Sequence, residues 1–118
     1  MTKFKRITAD WTTFRKLDPA PVEINYHAER GEHDGLSYDD RMAGVYTGAL
    51  QILKKAQEHG DKWIMFIHGN STSRPGKKTS RSQIRALMRS SEATPYIIRK
   101  ECIQHWTVFV AAVREKEL

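Results

Sequence analysis

The chain has 118 residues, enough for one domain with a single core but not for two. Hydrophobic residues make up 39% and charged residues 29%, which excludes an intrinsically disordered chain, and the formal net charge of +6 favours acidic partners. No apolar run is long enough to cross a bilayer and the N-terminus lacks the apolar core of a signal peptide, so we expect a cytoplasmic protein with no membrane association.

The first 21 residues form an amphipathic N-terminal extension. Its apolar residues have nearly the spacing of one helical stripe, namely Phe4, Ile7, Trp11, Phe14 and Leu17. The sequence Asp18-Pro19-Ala20-Pro21 then ends any helix. Two interpretations remain open: an arm that recruits a protein partner or a nucleic-acid backbone, and a segment whose aromatic residues pack on the domain's own surface. We favour the second.

A β-α-β unit follows. Residues 22–26 alternate as a strand that ends at His27, and the apolar run 63–67 has the length and composition of a central strand. Between them, Ser37 is suited to cap a helix with a buried apolar stripe, and Gly60 supplies its stop. Gly44 and Gly48 inside this helix are expected to let a neighbouring backbone come close.

The second half of the chain completes an α/β fold. A polar turn over residues 70–76 leads into a helix from about Lys77, and residues 96–98 and 107–113 read as two further strands. We therefore predict a two-layer β-α-β-α-β-β sandwich over residues 22–114, with a mixed sheet of about four strands backed by two helices and a charged tail at 115–118. The single Cys102 excludes an intramolecular disulfide and is read as a small core residue.

Positive charge is concentrated around the second helix. No Asp or Glu lies between Asp61 and Glu92, whereas this interval contains Lys62, Arg74, Lys77, Lys78, Arg81, Arg85 and Arg89. A hydroxyl-rich turn before a helix N-terminus also offers backbone N–H groups to an anion. The alternative is an ordinary solvated helix face, and we favour a nucleic-acid contact over it.

Three short motifs resemble those of the small MutS-related (Smr) domain family over roughly residues 22–114. The first is Ile24-Asn25-Tyr26-His27-Ala28, the second is His68-Gly69-Asn70-Ser71-Thr72-Ser73, and the third is Ser80-Arg81-Ser82-Gln83-Ile84-Arg85-Ala86-Leu87-Met88. His27, His68, Gly69 and Arg81 match the family pattern directly. The resemblance implies binding of branched or structured DNA or RNA, with cleavage by some members. Because Asn25 replaces the acidic residue of the first motif, it supports binding more than cleavage.

Two histidines are candidate catalytic residues. His27 and His68 end two neighbouring parallel strands, so they are expected to lie close together. With each pKa near its working value, the two histidines could act as acid and base on a ribose hydroxyl and phosphate. A loop-bonding role is an equal alternative. His105 is a weaker third candidate, and His33 and His59 are expected to face solvent. No metal or other cofactor is predicted, because a third ligand with suitable spacing is missing.

The functional prediction is thus a nucleic-acid-binding Smr-like domain whose partner is DNA or RNA, with endonuclease activity as a further hypothesis. The predicted phosphate contacts are Gly69, Ser71, Ser73, Arg74, Lys77, Lys78, Arg81 and Arg85. The alternative is a non-catalytic module that binds a protein partner or a second copy through the N-terminal aromatic segment. Gly76-Lys77-Lys78-Thr79 resembles a P-loop, but the spacing from Gly69 and the Lys at position 78 argue against nucleotide hydrolysis.

Overall fold

The fold is an α/β sandwich built on a mixed five-stranded sheet, in a computed structural model that describes residues 4–26, 38–69 and 79–116. The strands are β1 (Lys5–Arg6), β2 (Val22–Asn25), β3 (Trp63–Ile67), β4 (Ile103–Gln104) and β5 (Val108–Ala112). Their spatial order is β1-β4-β5-β3-β2. The two helices are α1 (Tyr38–His59) and α2 (Ser80–Arg89). The predicted α/β class is confirmed, with five strands in place of four.

The β-α-β unit is present as predicted. Strands β2 and β3 pair in parallel, with Val22 opposite Ile64 and Asn25 opposite Ile67. Helix α1 joins them, and Gly60 follows it with a φ of 78°, a left-handed conformation that glycine adopts without steric cost. Apart from the adjacent backbone of α1, no described atom lies within 4 Å of a Cβ built on Gly44 or Gly48, so no described backbone makes the close approach expected there.

The sheet is buried on both faces because its inner strands alternate between two apolar clusters. Ile64 and Phe66 of β3 face the helices, where Leu53 of α1 and Leu87 of α2 complete the main core. On the other face, Met65 and Ile67 pack with residues from the N-terminal segment, including Phe14. This double coverage explains why the β3 sequence is uninterrupted in its apolar character.

The N-terminal segment is part of this same packed unit. Strand β1 pairs in parallel with β4, and a 3-10 helix at Trp11–Lys16 places Phe14, 5% exposed, against the sheet. Asp10 caps this short helix by accepting from the Thr12 amide. The interpretation in which the N-terminal aromatic residues pack on the domain is confirmed for Phe14, and the extension begins with a strand rather than a helix.

The predicted strand at residues 96–98 is wrong. Ile97 makes an isolated bridge to Val113, and the strand beside β5 is β4, further along the chain. Arg99 explains the difference because its guanidinium donates to the carbonyl oxygens of Met88 and Ser90 and so ties this segment to the end of α2. No described helix combines the length and apolarity required to span a membrane.

Candidate nucleic-acid interface

Helix α2 presents a row of arginines because its apolar residues fix its orientation. Ile84, Leu87 and Met88 are fully buried against the sheet and α1. Thr79 caps the helix: its hydroxyl accepts from the Ser82 amide at 3.1 Å, and the Ser82 hydroxyl accepts from the Thr79 amide at 2.8 Å. With one face buried, positions 81, 85 and 89 lie one turn apart on an adjacent face.

Strand β1 adds a fourth arginine to this row. The Phe4 ring packs edge-on against Phe109 on the helix side of the sheet, with centroids 4.9 Å apart. Side chains two residues apart in a strand point to the same side, so Arg6 also points toward α2. Arg6 is paired in register with Gln104, whose Oε1 accepts from Arg89 Nη2 at 3.3 Å. We call Arg6, Arg81, Arg85 and Arg89 the arginine surface.

Arg85 is the most constrained member of the arginine surface. Burial lowers the pKa of its guanidinium, and the charges of Arg81, Arg89 and Arg6 lower it further. Its Nη2 donates to the backbone oxygen of His105 at 3.2 Å, and its buried Nε has no partner among the described residues. The charges of the described residues that shift its pKa are those of three other arginines, an environment that an anion would relieve.

His68 follows β3 and lies close enough to Arg81 and Arg85 for their charges to lower its pKa. The residue is 3% exposed, and burial, reinforced by those two arginines, lowers its pKa to about 4. Nδ1 lies 2.8 Å from the Gly69 carbonyl oxygen, which can only accept, so Nδ1 carries the proton. The imidazole is therefore neutral at pH 7, and its buried Nε2 finds no partner in the described ranges.

The His68-Gly69 turn is joined to the loop between β4 and β5. The amides of His68 and Gly69 both donate to the Thr107 carbonyl oxygen, each at 3.0 Å. Gly69 adopts a φ of 81°, which a side-chain-bearing residue reaches only with strain. The match of Gly69 to the family pattern thus has a backbone reason in this structure.

His105 has a structural role. Its Nε2 donates to the Ala9 carbonyl oxygen at 2.6 Å, and its Nδ1 accepts from the Thr107 amide at 3.0 Å. Both ring nitrogens are therefore satisfied in the neutral form. This arrangement holds the N-terminal segment against the loop that precedes β5, and it fits the alternative in which a histidine bonds a loop.

The structure brings together His68, Gly69, Arg81 and Arg85 from the predicted site. The other predicted site residues lie outside the described residues, namely His27, Ser71, Ser73, Arg74, Lys77 and Lys78. The parallel register does set the ends of β2 and β3 side by side, as the interpretation of His27 and His68 requires. Within the described ranges, no three His, Cys, Asp or Glu side chains are grouped as a metal site would need.

The sequence did not identify Arg6 as a member of the arginine surface, nor Trp106 as a residue beside it. Trp106 is 61% exposed in the loop between β4 and β5, directly after the His105 carbonyl that Arg85 contacts. The position of Arg6 follows from the long-range pairing of β1 with β4, which local sequence patterns do not report.

No family model, curated protein or solved structure matches this chain. The likeness to the Smr family rests on the three quoted motifs.

Proposed function

We propose that this chain binds DNA or RNA by holding the sugar-phosphate backbone on the arginine surface. The observation that supports this most directly is the environment of Arg85, a partly buried cation on which the charges of three other arginines act. Such clustering costs free energy in the unbound protein, and a polyanion would offset that cost. Arginine suits this role because its planar guanidinium can donate two parallel hydrogen bonds to a phosphate.

The shape of the arginine surface favours a polymer over a single small anion. Arg89 lies eight residues after Arg81 in α2, which corresponds to a rise of about 12 Å along the helix. Phosphates recur about every 3.4 Å of axis along one strand of a duplex. A row of this length therefore spans several phosphates, while an isolated phosphate would neutralise only part of it.

The state of His68 favours binding over cleavage. An imidazole with a pKa of about 4 is neutral at pH 7 and is not available there as an imidazolium general acid. Its 3% exposure also keeps Nε2 from a substrate in this conformation. We therefore propose binding as the activity of this surface, and cleavage by His27 and His68 remains a separate hypothesis that the Smr resemblance supplies.

The protein-interaction alternative receives less support from the N-terminal segment. Phe14 of its aromatic stripe is buried against β3 and β5, and Ile7, Trp11 and Leu17 pack against the same cluster. Residues committed to the domain's own core are not available to a partner. The arginine surface, by contrast, includes the exposed side chains of Arg6 and Arg89.

The test is the affinity of the Arg81→Ala/Arg89→Ala variant for structured DNA and RNA over a range of salt concentrations. Two lost phosphate contacts should lower affinity and reduce the slope of log affinity against log salt by about 2. The matched control is Lys55→Ala/Lys116→Ala, which removes two exposed cations from outside the arginine surface and should change the slope less. Equal affinity and slope in the arginine variant and the wild type would refute the proposal.

A further inference from the structure

The exposed indole of Trp106 is the starting point for an inference that rests on the proposed function. Trp106 is 61% exposed, whereas Trp11 and Trp63 are partly buried. A large aromatic ring left in water forgoes the free energy of burial, and a ligand that covers it would recover that free energy. The other large apolar side chain that is exposed among the described residues, Val22, lies on β2 at the opposite edge of the sheet.

The backbone around Trp106 is held firmly although its ring is uncovered. On one side, His105 is fixed through Ala9, the Thr107 amide and the Arg85 guanidinium. On the other side, the Thr107 carbonyl oxygen accepts from two amides of the His68-Gly69 turn. Both neighbours of Trp106 are therefore anchored, and a ligand that stacks on the indole would pay little entropy to order the loop.

The backbone at Trp106 lies next to the arginine surface. Arg85 donates to the carbonyl oxygen of the peptide group that links His105 to Trp106, so its guanidinium contacts the backbone directly before the tryptophan. Gln104, two residues before Trp106, bonds Arg89. Proteins that bind single-stranded nucleic acid combine these two features, a cationic surface for the backbone and an aromatic ring for the bases.

We propose that Trp106 stacks on an unpaired base of a nucleic acid whose phosphates lie on the arginine surface. The ligand class is therefore a single strand, or a structured nucleic acid at a loop, bulge or end where bases are free to leave the helical stack. Bases within a continuous duplex are stacked on their neighbours and cannot reach the ring. Trp106 thus selects between ligands that the arginines alone would bind similarly.

The experiment compares wild type, Trp106→Ala and Trp106→Phe on a short single-stranded oligonucleotide and on the duplex that it forms with its complement. Trp106→Ala should weaken single-strand binding about 5- to 150-fold, leave duplex binding unchanged and preserve the salt slope. Trp106→Phe should restore most of the affinity, because a phenyl ring still stacks. Val22→Ala is the control for loss of an exposed apolar side chain, and it should match wild type on both ligands.

Intrinsic fluorescence gives a readout that separates stacking from general damage to the fold. A base stacked on the indole should quench tryptophan emission when the single strand is added, and Trp106→Phe should lose this change while retaining the wild-type unfolding temperature. Unchanged single-strand affinity in Trp106→Ala, or an equal loss on the single strand and the duplex, overturns the inference. The Arg81→Ala/Arg89→Ala variant tests the proposed function independently, so a failure of stacking is distinguishable from a failure of binding.

Discussion

Arg85 donates a hydrogen bond from Nη2 to the backbone carbonyl oxygen of His105, 3.2 Å away. This contact joins α2 to the loop between β4 and β5, and the same loop bonds the His68-Gly69 turn through Thr107. Three segments that are distant in sequence therefore meet at one place. A change at any one of them is expected to affect the other two.

Salt should stabilise this protein through the arginine surface. Repulsion between Arg85 and its three arginine neighbours is screened as ionic strength rises. We expect the unfolding temperature of the wild type to rise by about 2–4 °C between low and moderate salt. Arg85→Met, which keeps most of the side-chain volume, should reduce this rise, and thermal unfolding followed by circular dichroism measures it. Lys55→Met is the control at an exposed position on α1, and an equal salt response in Arg85→Met and wild type would contradict the prediction.

His68 should make stability depend on pH on the acid side of neutrality. Its pKa in the folded protein is about 4, below the ordinary value of 6.5, so the unfolded chain binds more protons between these two values. The stabilising effect is complete above pH 6.5 and is lost as pH falls from 6.5 to 4. The loss should reach about 3 kcal/mol in the free energy of unfolding.

The measurement is urea unfolding of wild type and His68→Gln across this pH interval. Because carboxylates also titrate in this interval, the informative quantity is the difference between the two pH profiles. The free energy of unfolding of His68→Gln should fall less steeply with falling pH than that of the wild type. His59→Gln changes an exposed histidine at the end of α1 and should retain the wild-type profile. Parallel profiles for wild type and His68→Gln would show that His68 titrates normally in the folded protein.

Gly69 should tolerate a methyl group poorly. Its φ of 81° would place an alanine in the left-handed region, at a cost of about 1–2 kcal/mol. We expect Gly69→Ala to lower the free energy of unfolding by that amount and to weaken the bond between the Gly69 amide and Thr107. Gly44→Ala is the contrasting variant, because Gly44 lies within α1 and an added Cβ meets no described atom within 4 Å apart from the adjacent helix backbone. That substitution should stabilise the protein by about 0.5–1 kcal/mol, so a loss in both variants would refute the explanation.

Local patterns were sufficient to predict the middle of this fold. The apolar run Trp63–Ile67 and the amphipathic α1 each have a period and length that fit one kind of element, and their order indicated that β2 pairs with β3 in parallel. The predicted cap Ser37 lies outside the described residues. The four-residue spacing of the α2 arginines was also readable, since helical geometry alone puts them on one face. These predictions depend on contacts between residues close together in the chain.

The edges of the sheet could not be predicted in the same way. Strands β1 and β4 have two residues each, too few for a period to show, and they pair across nearly the whole length of the chain. The contribution of Arg6 depends on that pairing. The lowered pKa of His68 likewise follows from burial and from the charges of Arg81 and Arg85, and neither can be read from the residues next to His68 in the sequence.

Phe14 should contribute substantially to the stability of the whole domain. Its ring is 5% exposed among Met65, Ile67, Val108 and Val110 on the second face of the sheet. Phe14→Ala should therefore lower the free energy of unfolding by about 3–5 kcal/mol, measured by urea unfolding. Lys16→Ala, two residues away on the same 3-10 helix and exposed, should cost little.

Removal of residues 1–18 should have a still larger effect, because it takes away β1 as well as Phe14 and the Ala9 carbonyl that His105 bonds. A truncated chain that loses a protein partner would therefore not show that the N-terminal segment binds it, since the fold itself would be damaged. If the truncated chain unfolded at the wild-type temperature, the N-terminal segment would be a separable appendage and this account of the second face of the sheet would be wrong.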